Sequence, residues 1–352
     1  MENIVINAVP TYPNAPVGAN LLKADLQGFL KQLSAKNAAN AYLLVDSQNA
    51  MQIDEPGIKV VPVQAPSGFV YSNPAAAWRA VNNGADCPID KVYTVEEIMD
   101  AASKTLFVFD SAGKSKEIQV DRQCTAAEIL RQHGGADGPK AVYLGFPMAI
   151  MLDASQLEKP LEITTDYALI LAEQDCILHQ LAAIAQAFYS ESCGRCVFGY
   201  EGLFQMQAIL SDMTNKKGKI DDIALMAELG DIMKAQCLCE VGKTAANLIT
   251  SAMKAFEAEI TEHITKKNCK AAFCKKFITF HILKDKCVGC MECQDACEDE
   301  VIAGKKRFVH VIDQDECIQC GKCFEACEHG AIVKAGAIKP KCPPKPVPCT
   351  AS

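Results

Sequence analysis

The chain has 352 residues, enough for two or three domains at roughly 100–200 residues each. Hydrophobic residues make up 49% and charged residues 22%, which excludes a disordered chain, and the net charge of −8 weighs against a nucleic-acid phosphate binder. No apolar run reaches the ~18 residues of a spanning helix. The best candidate, Tyr167 to Tyr189, is broken by Glu173, Asp175 and His179, and Met1 to Pro10 lacks a signal-peptide layout. A cytoplasmic protein with no transmembrane segment is expected.

Residues 1–103 carry strand patterns at Ile4–Ala8, Ala41–Val45 and Ile58–Val63, with helical patterns at Leu21–Leu33 and Pro74–Val81. The first strand runs into Val9, Pro10, Thr11, Tyr12 and Pro13, and the Pro74 helix into Asn82, Asn83 and Gly84. No GxGxxG or GxxxxGKS occurs anywhere, so no phosphate cradle is predicted. Residues 104–172 read as two strands, a helix, then more strands. The strands are Leu106–Phe109 and Glu117–Val120 around a turn at Ser111, Ala112 and Gly113, then Ala141–Leu144, Ala149–Leu152 and Tyr167–Ala172. The helix is Ala126–His133, closed by Gly134 and Gly135. That order predicts a β-grasp.

A helical stretch follows, Ser190 to Lys266. It opens on Glu191, Ser192, Cys193, Gly194, Arg195 and Cys196, and Leu203, Met206, Ile209 and Leu210 repeat at helical spacing. Gly218 breaks it, and a second helix is predicted over Ile220–Met233. Cys237 and Cys239 then precede a long amphipathic helix over Ala245–Ile264.

Of nineteen cysteines, only Cys87, Cys124 and Cys176 precede residue 190, and sixteen lie between Cys193 and Cys349. In a reducing compartment these are not a disulfide framework, and thiolates at short regular spacing point to metal. Cys287, Cys290, Cys293 and Cys297 read CxxCxxCxxxC, and Cys317, Cys320, Cys323 and Cys327 repeat it thirty residues on. Three cysteines two residues apart wrap one cube, and the fourth, on the following helix, reaches the other cube. One [4Fe–4S] cluster is therefore assigned to Cys287, Cys290, Cys293 and Cys327, and a second to Cys317, Cys320, Cys323 and Cys297. The other readings are eight structural thiols or two zinc sites. Gly289 and Gly321 suit loop positions where the backbone approaches sulfide.

The segment 281–335 resembles a bacterial-type two-cluster ferredoxin. Glu298 and Glu328 stand where that family usually has proline; they are either carboxylates that lower a cluster's potential or solvated side chains. The helical stretch, with its ESCGxC lead-in, resembles the iron–sulfur bundle of the NADH-oxidising flavoprotein subunit of complex I and of the matching subunit of multisubunit cytoplasmic hydrogenases and formate dehydrogenases. That resemblance places Cys193, Cys196 and Cys239 on three of four ligand positions, with Gly199 at the remaining one. Cys237 is the candidate replacement, giving a third iron–sulfur cluster; zinc in the same four thiolates and no metal are the alternatives. The hydrogenase-type subunits have a cysteine pair like Cys269 and Cys274 here, and with His263 and His310 these form a candidate structural zinc set, against free thiols.

The resemblance implies an α+β multidomain chain. Residues 1–103 are a truncated α/β domain resembling part of a flavin domain, with the family's Gly-rich flavin loop expected before residue 1. A soluble-ligand-binding β-grasp follows at 104–176, a helical iron–sulfur bundle at 177–266 and the 2[4Fe–4S] ferredoxin at 267–335. Residues 336–352, rich in Pro and Lys and carrying Cys342 and Cys349, are expected to form a flexible or partner-docking arm. The expected function is an electron-transfer subunit of a larger redox complex, non-catalytic in itself, with FMN and NAD absent. Its expected partners are other redox subunits, ferredoxin among them, and not nucleic acid. The alternatives are a flavin-containing NAD(P)H-oxidising subunit and a structural or sensing iron–sulfur module.

Overall fold

β-Branched and apolar residues alternate with helical stretches at the N-terminus, and the chain folds accordingly. In the computed structural model, residues 3–49, 53–63, 68–82, 87–134, 138–238, 240–336 and 338–350 are described. They form two units. One comprises Met1–Glu173, Ala183–Gln207 and Leu225–Ala255, the other Gln174–Ala182, Ala208–Ala224 and Phe256–Ser352. No helix among the described residues is long and apolar enough to cross a membrane.

The first unit begins with β1 (Asn3–Asn7), α1 (Val17–Ala24), α2 (Leu26–Ala35), β2 (Asn40–Asp46), β3 (Ile58–Val63), α3 (Pro74–Asn82), β4 (Val92–Thr94) and α4 (Val95–Met99). The strands form one parallel sheet in the order β3-β2-β1-β4. Alternate residues feed two cores, Ile6 and Leu43 toward one and Val5 and Leu44 toward the other, so both faces are covered. The single helix expected over Leu21–Leu33 is two. Asp25 leaves helical geometry at φ −146° and its carboxylate accepts the Gly28 N–H at 2.8 Å, capping a new start. A cavity of about 110 Å³ sits at the carboxyl ends of β1 and β2, lined in part by Ala8, Lys23, Val45 and Asp46. Asn83 and Gly84, at the end of the Pro74 helix, lie outside the described residues, as does Gly135.

Next come β5 (Ser103–Asp110), β6 (Ser115–Asp121), β7 (Gln123–Thr125), α5 (Ala126–His133), β8 (Ala141–Leu144), β9 (Ile150–Asp153), β10 (Pro160–Glu162) and β11 (Tyr167–Leu171). Five of these strands make a mixed sheet in the order β6-β5-β11-β8-β9, with β11 parallel to β5. Thr125 and Glu128 close a capping box at the start of α5, and Gly134 ends it at φ +74°. Ile129 of α5 joins Leu106, Val108, Val142 and Ile170 of the sheet in one core.

Beside this core lies a charged group with little access to water. The Lys104 ammonium pairs with Glu96 and Asp166, and the second Glu96 oxygen accepts the Thr105 N–H at 3.1 Å. Burial raises the Glu96 pKa despite the lysine. Lys104→Ala strands that carboxylate, and a loss of about 3–5 kcal/mol of stability is expected in denaturant unfolding. A loss under ~1 kcal/mol would show that the trio is a surface-type pair.

The helices are α6 (Ile177–Ser190), α7 (Val197–Thr214), α8 (Asp221–Gln236) and α9 (Glu240–Ala255). Glycines let them approach closely. A side chain at Gly202 on α7 would meet the Met233 sulfur of α8 at 2.6 Å, and one at Gly230 on α8 would meet Thr250 of α9 at 2.2 Å. The long helix expected over Ala245–Ile264 ends at Ala255 and restarts as α10 (Glu257–Thr265), because Phe256 leaves helical geometry at φ −110°.

The second unit continues with β12 (Thr279–Ile282), α11 (Glu292–Asp295), β13 (Ile302–Ala303), β14 (Phe308–Val309), β15 (Val311–Ile312), α12 (Lys322–Glu325), β16 (Ile332–Ala335) and β17 (Val347–Pro348). β12 pairs with β16, β13 with β15 and β14 with β17, all antiparallel. The last pairing corrects the expectation of a free arm. The tail folds back along Phe308–Val309, and the Cys349 N–H donates to the Arg307 carbonyl at 3.0 Å. Proline-rich composition argues for an unpaired segment, yet Val347 and Pro348 suffice for an edge pairing, where proline is tolerated.

Candidate metal centres

The two cysteine runs build matching loops. Each uses two left-handed residues at equivalent positions, Gly289 (φ +67°) and Met291 (φ +85°) in the first, Gln319 (φ +60°) and Gly321 (φ +86°) in the second. Gly289 is required twice over, since a side chain there would strike the Phe308 backbone nitrogen at 2.6 Å. Short helices α11 and α12 then carry Cys293 and Cys323 into the core that holds Phe280, Ile302 and Ile332.

Two cavities result. One is lined by Cys287, Cys290, Cys293 and Cys327 together with His310 and His329. The other is lined by Cys317, Cys320, Cys323 and Cys297 together with Phe280 and Asp299. Each cavity takes three cysteines from one run and the fourth from the other. Burial pushes the Cys293 thiol up to about 12 and the Cys323 thiol up to about 11. Glu298 pairs with Lys322 at 2.5 Å on the surface, and Glu328 is exposed. The first carboxylate's charge is met locally, which favours the solvated reading of both.

A second group gathers thiols and an imidazole. The ligand atoms of Cys176, His263, Cys269 and Cys274 lie within 4.8 Å of one another, all four side chains buried. The Cys274 and Cys176 sulfurs are 3.6 Å apart. Hydrogen bonds from Cys176 and Cys274 push the Cys269 thiol well down, and the same sharing pushes Cys176 up to about 12. His263 is 2% exposed, and its ring meets the Cys269 thiol and no other hydrogen-bond partner among the described residues. Three thiols and an imidazole at this separation fit one tetrahedral ion. The sequence suggests His310 for this set; the structure brings Cys176 there instead, and His310 lies at the first cysteine cavity. Cys176 sits 93 residues before Cys269, so no local spacing could reveal it.

The third group lies where α7 and α9 approach. Cys193 is exposed and Cys196 half-buried in the loop before α7, and Cys237 is buried at the end of α8. A side chain at Gly199 would meet the Cys196 sulfur at 2.6 Å and the Cys237 sulfur at 3.8 Å; one at Gly242 would meet the Cys237 sulfur at 2.7 Å. Two sulfurs therefore converge on the space that a side chain at position 199 would fill. Cys239 lies outside the described residues.

With the geometry in place, comparison with known proteins is informative. Residues 179–263 match the NADH-ubiquinone oxidoreductase-F iron–sulfur binding region, and residues 286–332 match a 4Fe-4S dicluster domain. The chain resembles the iron–sulfur part of the NADH-oxidising subunits of complex I and of multisubunit hydrogenases. It is 31% identical over 231 residues to the NADP-reducing hydrogenase subunit HndC of Solidesulfovibrio fructosivorans, covering 60% of this chain and 46% of that protein. It is 30% identical over 97 residues to the F component of the NADH-quinone oxidoreductase of Streptomyces coelicolor, covering 28% of this chain and 22% of the relative. The chain thus spans less than half the length of these two relatives. The crystal structure of an NAD+-reducing [NiFe]-hydrogenase in the air-oxidized state shares the fold at TM-score 0.59 and 14% identity, over 74% of this chain and 56% of that one. The fold is mixed α/β with a ferredoxin-like 4Fe–4S domain, and iron–sulfur binding is the property common to both matched regions.

Proposed function

We propose that this chain is an iron–sulfur electron-transfer subunit of a cytoplasmic multisubunit oxidoreductase of the hydrogenase, formate dehydrogenase or bifurcating type. It passes single electrons between partner redox subunits and does not itself hold FMN or NADH. The observation that carries this reading is the pair of four-cysteine cavities with exchanged fourth ligands. Bound [4Fe–4S] clusters would supply one-electron transfer. The chain's own part is to hold the thiolates against an apolar core, with Cys287, Cys293 and Cys323 buried in it and Cys290 and Cys320 on the exposed side of each loop. The reading extends to a β-grasp at 104–176, a helical bundle at 177–266 and a dicluster ferredoxin at 267–335, after an α/β domain at 1–103 that resembles part of a flavin domain.

Two further centres belong to it. Cys193, Cys196, Cys237 and Cys239 hold a third cluster, with Cys237 standing in for the ligand lost at Gly199. Cys176, His263, Cys269 and Cys274 hold structural zinc. Cys237→Ser tests the third cluster, with an expected loss of about two to four irons per chain by iron analysis. Unchanged iron would remove Cys237 from the ligand set.

The cavity at the carboxyl ends of β1 and β2 favours a second reading, since open parallel sheets bind ligands there. In that reading the chain holds a flavin or nucleotide and oxidises NAD(P)H. Stoichiometric flavin in gently purified protein supports it; flavin-free protein that still relays electrons from a chemical reductant to a partner supports the first.

A further inference from the structure

The thirty-residue repeat is not symmetric where it walls the two cavities. Phe280 in the first half and His310 in the second are equivalent. Each stands seven residues before the first cysteine of the run that follows it, Cys287 or Cys317, and each lines a cysteine cavity. Phe280 lines the cavity of Cys317, Cys320, Cys323 and Cys297. His310 lines the cavity of Cys287, Cys290, Cys293 and Cys327. One cavity therefore has a hydrocarbon ring in its wall and the other an imidazole.

His310 is 1% exposed, and its only hydrogen-bonding neighbour among the described residues is the Phe308 backbone, too poorly aligned to satisfy either ring nitrogen. A neutral imidazole always carries one N–H, and an N–H buried without an acceptor costs about 1–3 kcal/mol. The ring is also held in place. A side chain at Gly304 would overlap it, with His310 Cδ2 at 2.3 Å and Nε2 at 2.7 Å, so glycine at that position leaves room for it. A polar ring is thus buried at some expense beside four thiols, in a position where the repeat elsewhere uses phenylalanine.

We propose that His310 donates a hydrogen bond to a sulfur of the cluster held by Cys287, Cys290, Cys293 and Cys327, and so makes that cluster the easier of the two to reduce. The inference rests on the cluster assignment proposed above. Reduction adds one electron to the iron–sulfur core and increases negative charge on its sulfurs. A fixed N–H donor is worth more to the reduced form than to the oxidised form, so it raises the potential. Phe280 offers the second cluster no such donor. The two clusters, alike in ligands, differ in this ring and in one further equivalent pair of polar side chains, exposed His329 at the first cavity and Asp299 at the second, and His310 is the buried member.

The test is a reductive titration of the full chain, purified anaerobically and followed by electron paramagnetic resonance, with iron analysis on each sample. His310→Phe copies the residue at the equivalent position. The expected result is unchanged iron, one midpoint lowered so that the equilibrium constant for reduction falls about tenfold (about 59 mV for one electron), and the other midpoint unmoved. His310→Gln keeps an N–H donor and is expected to stay closer to the original midpoint than His310→Phe. Phe280→His places a donor at the other cavity and is expected to raise the other midpoint. Unchanged midpoints in His310→Phe and Phe280→His, with iron retained, overturn the inference while leaving the cluster assignment standing. If His310→Phe fails to load iron, Phe280→His and His310→Gln decide by the same criteria. An unmodified chain without [4Fe–4S] signals overturns the assignment itself.

Discussion

Cys297→Ala is expected to empty the second cavity, although Cys297 belongs to the first cysteine run. Cys297 lines the cavity of Cys317, Cys320 and Cys323, while Cys327 lines the other. The exchange follows from the chain path. α11 and α12 each begin inside a cysteine loop, and the fourth cysteine follows just past the helix end, away from that loop, and not on the helix as the sequence suggests. Loss of one ligand leaves an iron corner open to water, and the expected outcome is loss of about four irons per chain, or conversion of one cubane to a three-iron form. Double variants decide which cluster is lost. Cys297→Ala with Cys317→Ala is expected to lose no more iron than Cys317→Ala alone, because both act on one centre. Cys297→Ala with Cys287→Ala is expected to lose about eight irons. The opposite pattern would mean that each run serves its own cluster.

The second large effect is expected at the Cys/His group. Cys176→Ser and His263→Ala should each release about one zinc per chain and lower the thermal midpoint, since a structural zinc contributes on the order of 10 kcal/mol to the folding of small metal domains. All four side chains are buried, and the His263 ring has no other hydrogen-bond partner among the described residues, so little else would compensate. A strong chelator should reproduce the midpoint shift in the unmodified chain. His310→Phe serves as the control and should keep its zinc. Zinc retained in Cys176→Ser but lost in His310→Phe would restore the ligand set suggested by the sequence and contradict the one drawn from the structure.

Local patterns are legible in the sequence. The Ala126–His133 helix can be read to the residue because a capping box opens it and Gly134 closes it. The cysteine runs can be read because a cube imposes short, regular spacing on the loop that wraps it. Breaks inside apolar periodicity are not legible. Asp25 and Phe256 interrupt helices whose hydrophobic pattern continues through them, and only the cap geometry shows it. Long-range partners are also hidden. Nothing near Cys269 points to Cys176, and His310 carries no local mark that separates a zinc ligand from a residue facing a cluster. The repeat does hold that mark, because His310 occupies the place of Phe280, but its meaning requires both rings to be seen at their cavities. The tail pairing is hidden for a similar reason, since two residues of edge pairing leave almost no trace in composition.

If this chain conducts electrons through protein-bound iron–sulfur centres, iron, zinc and flavin per chain on anaerobically purified protein should show it. About twelve irons are expected if the bundle holds a cubane, or about ten if it holds a two-iron cluster, with about one zinc and no flavin. Fewer than about eight irons would contradict the two ferredoxin clusters, and one flavin per chain would contradict a chain that only conducts.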